Sequence, residues 1–159
     1  MGAKGKQIVE VDLKKLVEEL NNALADEWKA YYQYWYTALV VKGIYSEDVS
    51  EVFKKTAENE FEHATELANR VIELGEVPVS LFNDLSKKGS CAFPIPPKNL
   101  NDVKTFIENA IKSEACAISV YDKIIKMTRG KDEVTYQLIA HILAEEVAHE
   151  EAFETLAGK

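Results

Sequence analysis

Apolar side chains recur along this chain in steps of three or four over four long stretches, the spacing of one buried face of an α-helix. The first stretch runs from about Asp12 to Lys42 and carries Leu13, Leu16, Leu20, Leu24, Tyr31, Tyr34, Ala38 and Val41. The second starts at Ser46, a good N-cap, and aligns Val49, Phe53, Thr56, Leu67, Val71 and Leu74 before Gly75. The third, capped by Asn99 or Asn101, aligns Val103, Ile107, Ala110, Ala117, Tyr121, Ile124 and Thr128 before Gly130. The fourth begins near Asp132 and aligns Thr135, Ile139, Ile142, Phe153 and Leu156. The predicted fold is all-α, a four-helix bundle in one domain over residues 11–159, with residues 1–10 as a flexible tail. No fifth helix fits before Lys159.

Residues 76–98 lack a helical period and hold all four prolines, Pro78, Pro94, Pro96 and Pro97. A structureless connection of that length needs a reason in a small domain. A helix of 30 residues is about 45 Å long, and 23 extended residues reach about 75 Å. The segment is therefore long enough to run back along the bundle and start the third helix where the second began. Val79, Leu81, Phe82, Leu85 and Phe93 are the side chains expected to pack it down.

Each apolar stripe is interrupted by an acid. Glu27, Glu60, Glu114 and Glu146 fall on the buried faces, and His63 and His149 follow Glu60 and Glu146 at i, i+3 on the same faces. Glu27 lies 15 residues past Asp12, Glu60 14 past Ser46, Glu114 15 past Asn99 and Glu146 14 past Asp132. All four are near mid-helix, so they meet at one level whichever way each helix runs. Four carboxylates in an apolar core repel and lose hydration, a cost that cations remove. Four carboxylates and two imidazoles suit two Fe²⁺ or Mn²⁺ ions. A lone Glu-x-x-His is a weak signal where glutamate is abundant; two of them, with four core-facing acids at mid-helix, form a dinuclear metal site. His141 is one position off the fourth stripe and reads as a surface or interface residue. Tyr34 and Tyr121 each lie seven residues past an acid on the same face, as core packing or as partners of the metal site. Trp28, Tyr31, Tyr32 and Trp35 make the first helix aromatic on more than one face, which implies contact with another subunit.

A formal net charge of −8 argues against general nucleic-acid binding, which needs a basic footprint. No apolar run approaches a membrane span and the N-terminus has no secretory h-region, so a cytoplasmic location is expected.

The order Glu, Glu-x-x-His, Glu, Glu-x-x-His resembles the ferritin-like superfamily over residues 11–157, and the 76–98 segment resembles its long crossover. One full ligand set per chain looks like bacterioferritin, and the absent fifth helix looks like the Dps mini-ferritins. The combination most resembles the Dps-like group, or thioferritins, in which one cysteine lies in the crossover and another just past a ligand glutamate, here Cys91 and Cys116. The resemblance implies that Glu60 and Glu146 bridge two irons, that Glu27, Glu114, His63 and His149 are terminal ligands, and that this set is catalytic. It implies two iron ions per chain, with manganese as the alternative. It also implies Fe²⁺ oxidation with hydrogen peroxide or dioxygen, protection against oxidative stress, and iron storage in a homo-oligomeric cage of twelve. Cys91 and Cys116 are then either a disulfide or redox pair, or two small core residues. Alternative functions are a rubrerythrin-like peroxidase, a manganese catalase, or a DNA-coating cage protein.

Overall fold

A computed structural model describes residues 2–158. It contains α1 (Ala3–Gln7), α2 (Leu13–Val40), α3 (Ser46–Glu73), α4 (Phe82–Lys87), α5 (Val103–Thr128) and α6 (Glu133–Leu156). No strand occurs among the described residues. The four long helices form a ferritin-like bundle made of two helical hairpins, α2/α3 and α5/α6, which pack most extensively within each hairpin. The Lys42 N–H donates to the Leu100 carbonyl at 2.9 Å, so α5 begins at the end of the bundle where α2 finishes and α3 starts. The crossover has returned the chain along the whole bundle, as its length predicts.

Helix starts follow local hydrogen-bond chemistry. Asp12 caps α2 by accepting from Lys15 N, and Asp132 caps α6 by accepting from Thr135 N. The third long helix starts later than Asn99 or Asn101. Asn99 Oδ1 is taken up by the turn over Asn101 N and the Leu100 carbonyl is held by Lys42, so Asp102 becomes the cap and accepts from both Thr105 N and Oγ1. For α3 the cap is Tyr45, in the left-handed region with φ 68°, and Ser46 is the first helical residue.

The crossover differs from its prediction in two ways. It contains α4, which lies against α2, and Leu81, Phe82 and Phe93 are exposed by 63%, 81% and 42% instead of being packed down. Only Val79 of that group packs against the main core, with its N–H donated to Asn21 Oδ1 at 2.7 Å, while Leu85 is half-buried. At the N-terminus, where a flexible tail was expected, the described residues include α1. Val9 and Val11 pack against the core and Glu10 N–H donates to the Lys131 carbonyl at 2.8 Å.

The interior is two apolar half-cores. One is built on Leu16, Leu20, Leu67, Val71, Ile124, Ile139 and Ile142. The other is built on Tyr34, Val49, Phe53, Phe106, Ile107 and Phe153, where the Phe53 and Phe153 rings lie 4.8 Å apart. Far from the α5 start, Arg70 is buried and its guanidinium ties α3 to the α6 cap. It donates to Thr135 Oγ1 at 2.7 Å, to both Asp132 oxygens at 3.0 Å and to Glu73 at 3.0 Å. Arg70→Ala leaves Asp132 buried with a charge answered only by Thr135. We expect it to destabilise the metal-free protein by about 3–5 kcal/mol in chemical denaturation; a loss below about 1 kcal/mol would show that the pair behaves like an exposed one.

Candidate metal centre

The mid-helix placement survives the shifted helix ends. Glu27 is residue 15 of the 28 in α2, Glu60 residue 15 of 28 in α3, Glu114 residue 12 of 26 in α5 and Glu146 residue 14 of 24 in α6. The four carboxylates meet in a polar belt between the two half-cores, each no more than 2% exposed. His63 (1%) and His149 (9%) join them. All six side chains singled out in the sequence are thus brought together.

They form two groups whose ligand atoms lie within 4.8 Å of one another: Glu27, Glu60, His63 and Glu146, and Glu60, Glu114, Glu146 and His149. Glu60 and Glu146 are common to both. His63 Nδ1 stands 3.0 Å from Glu146 Oε1 and 3.5 Å from Glu27 Oε2 and Glu60 Oε2; His149 Nδ1 stands 3.3 Å from Glu60 Oε1 and 3.7 Å from Glu114 Oε2. Close as they are, six of these buried atoms have no hydrogen-bond partner: Glu27 Oε2, Glu60 Oε1, Glu114 Oε2, Glu146 Oε1, His63 Nδ1 and His149 Nδ1. Buried polar atoms are ordinarily paired. Six that are not, all carboxylate oxygens or imidazole nitrogens and all within the two groups, are of the kind that could hold borderline-hard metal ions.

The outer atoms of the ligands are held. Tyr34 Oη donates to Glu114 Oε1, and Tyr121 Oη donates to Glu27 Oε1. Tyr34 lies on the helix of Glu27 and bonds Glu114, and Tyr121 lies on the helix of Glu114 and bonds Glu27, leaving Oε2 of both acids without a partner. The two roles weighed from sequence, core packing and partnership with the site, are both filled. Burial, then the Glu114 carboxylate for Tyr34 and the Glu27 carboxylate for Tyr121, push the two phenols well above their usual range, so they remain donors.

Without metal the belt shares protons. Burial, and next the Glu27 carboxylate for Glu60 and the Glu60 carboxylate for Glu146, raise both acids well above the carboxylate range. Burial also opposes charge on His63, but the Glu146, Glu27 and Glu60 carboxylates outweigh it and hold the ring protonated. For Glu27 burial is likewise outweighed, by the adjacent Glu60 carboxyl, the His63 ring and the Tyr121 hydroxyl, and its carboxyl is lowered. Metal binding must release these protons.

Sequence reasoning missed two features. Glu145 Oε2 lies 2.7 Å from His63 Nε2, on the side of the ring away from the belt; Glu145 is neither on the apolar stripe nor near His63 in sequence. His141, exposed as predicted, stands 3.7 Å from the same oxygen. The second feature is a clamp on the crossover. Asp26, buried beside Glu27, accepts from Ser90 N at 2.7 Å and Cys91 N at 3.1 Å. Lys29 pairs with Asp26 at 2.6 Å and donates to the Cys91 carbonyl at 2.8 Å and the Lys88 carbonyl at 3.2 Å. Gly89 has φ +98°, a conformation that favours glycine, and a β-carbon there would displace the Asp26 and Lys29 side chains from the clamp. Within this clamp Cys91 and Cys116 form a disulfide with Cα atoms 5.9 Å apart. A cavity of about 30 Å³, lined by Cys91 and Ala92 and by Glu27, Glu60, Glu114 and Glu146, separates the bridge from the carboxylates.

Four antiparallel helices with a carboxylate–histidine belt at mid-height are the arrangement of ferritin-like bundles. The ferritin-like domain family matches residues 17–159, and the chain belongs to that family. It is 35% identical over 149 residues to the DNA protection during starvation protein of Pyrococcus furiosus, covering 92% of this chain and 78% of that one. It is 27% identical over 145 residues to the bacterioferritin of Desulfovibrio desulfuricans, covering 91% and 75%. Among solved structures it is similar to a dodecameric thioferritin, the bacterioferritin-related protein of Bacteroides fragilis. That match has 40% identity and a TM-score of 0.88 and covers 92% of this chain and 86% of that one.

The bridge closes a 25-residue separation, for which chain entropy gives about 3.5 kcal/mol. Cys116→Ala is expected to lower the stability of the oxidised protein by up to that amount. Mass-spectrometric thiol counting on folded, peroxide-treated protein should find no free thiol; two would refute the pairing in solution.

Proposed function

We propose that this chain is a ferroxidase subunit of an iron-storing cage, with Fe²⁺ as both substrate and cargo. The observation that carries the reading is the convergence of six unpartnered buried ligand atoms in two groups sharing Glu60 and Glu146. Glu60 and Glu146, common to both groups, would be shared by the two ions, with Glu27 and His63 completing one position and Glu114 and His149 the other. Tyr34 and Tyr121 orient the terminal carboxylates. Two Fe²⁺ side by side give two electrons to one O–O bond: 2 Fe²⁺ + H₂O₂ + 2 H⁺ → 2 Fe³⁺ + 2 H₂O. No odd electron is left to release hydroxyl radical, which suits hydrogen peroxide as oxidant and a role against oxidative stress. Dioxygen is the alternative oxidant. The hard carboxylate oxygens favour the Fe³⁺ product.

Storage needs an enclosure. Tyr32, Trp35 and Phe61 are 51%, 44% and 47% exposed, and Trp28, Tyr31, Tyr32, Phe82, Leu85 and Phe93 line a surface groove of about 600 Å³. Such a contiguous aromatic face fits contact between copies, in keeping with the dodecameric Bacteroides relative. The net charge of −8 favours attraction of iron over DNA coating. No described helix is long and apolar enough to cross a membrane, and we assign the cage to the cytoplasm.

Glu146→Ala removes an oxygen from both positions. It is expected to abolish rapid Fe²⁺ oxidation, followed by stopped-flow absorbance, while circular dichroism reports an intact bundle. Wild-type rates with wild-type metal content in that variant would overturn the reading. In sedimentation at micromolar concentration the protein should run as a shell of twelve; a monomer or dimer would exclude storage in a cage and leave a free-standing peroxidase.

A further inference from the structure

His63 and His149 stand in the same i, i+3 relation to their glutamates, yet the outer nitrogens of the two rings differ. His63 Nδ1 faces Glu27, Glu60 and Glu146, while Nε2 is 2.7 Å from Glu145 Oε2. Donation of Nε2–H to that carboxylate fixes the ring orientation, so that once the belt gives up its proton the tautomer left has its Nδ1 lone pair facing the three carboxylates. His149 Nε2 has no such acceptor among the described residues, and its side chain is 11% exposed against 1% for His63. One imidazole is therefore locked before metal arrives, and the other must be ordered by it.

We propose that Glu145 is the positioning residue for His63, and that it makes the position formed by Glu27, Glu60, His63 and Glu146 the tighter of the two. The position formed by Glu60, Glu114, Glu146 and His149 is then the one that fills second and exchanges. The inference rests on the di-metal reading of the belt. It assigns an order to two positions that share both bridging acids and differ mainly at the histidine. Locking a ring in advance removes an ordering cost from binding, and loss of a carboxylate behind a ligating histidine commonly weakens metal affinity about 10–100-fold.

Anaerobic titration of the metal-free assembled protein with Co²⁺, followed by its visible absorption, tests this without catalysis. The wild type should fill in two steps, the first at least about tenfold tighter. Glu145→Ala should weaken the first step by about 10–100-fold and leave the second in place. Glu145→Gln, which keeps an acceptor oxygen, should recover most of the loss, a rescue that a merely packing role would not give. His149→Ala should retain the tight step and His63→Ala should remove it. Glu145 is 37% exposed and alanine is a strong helix former, so the variant is expected to fold; circular dichroism checks it. The proposal is overturned if Glu145→Ala titrates like wild type, if Gln rescues nothing, if the wild type fills in two equal steps, or if the tight step disappears in His149→Ala and survives in His63→Ala. A wild type that binds no Co²⁺ would overturn the di-metal reading itself, and the inference with it.

Discussion

Four carboxylates have been taken out of water at one level of an apolar bundle, and the rest of the structure answers to that. Isolated charges in such a place are prohibitive, so metal-free protein holds Glu60 and Glu146 toward their neutral forms and keeps His63 charged among them. The belt is a balanced set of protons waiting to be exchanged for cations. The tyrosines keep that set from collapsing inward. By taking one oxygen each from Glu114 and Glu27 across the bundle, they fix which oxygen faces the centre.

The crossover solves a topological problem and gains a chemical role by doing so. It must pass the flank of α2 and α5 to restart the chain at the far end, and its late residues come to lie beside the belt. Asp26 and Lys29, one turn around Glu27, grip its backbone there, and the disulfide fastens it to α5 two residues past Glu114. An irregular segment thereby becomes one wall of the small cavity beside the carboxylates.

Much of the site was legible because helical periodicity is a strong local signal. An acid that interrupts an apolar stripe can be seen without knowing what it faces, and Glu27, Glu60, Glu114 and Glu146 each did so. Features set by register between distant segments were not legible. Glu145 sits beside a ligand but off its face, and only the rotation of α6 against α3 brings it to His63. Asp26 and Lys29 look like ordinary surface charges until the crossover lands on them. The cap of α5 moved to Asp102 because Leu100 was engaged by Lys42 from another hairpin. In α4 a single turn and a half of helix was too short for a period to declare itself.

The division of the interior into two half-cores has a mechanical meaning. All four long helices pass unbroken through both, with the polar belt as a waist between them. Continuous helices carry the loss of either half to the other, so the waist does not split the bundle into two independently melting bodies. Ions gripped there would act as rivets through all four rods at their midpoints. That is where a rod frays least, and where a given sideways force at its ends moves it least.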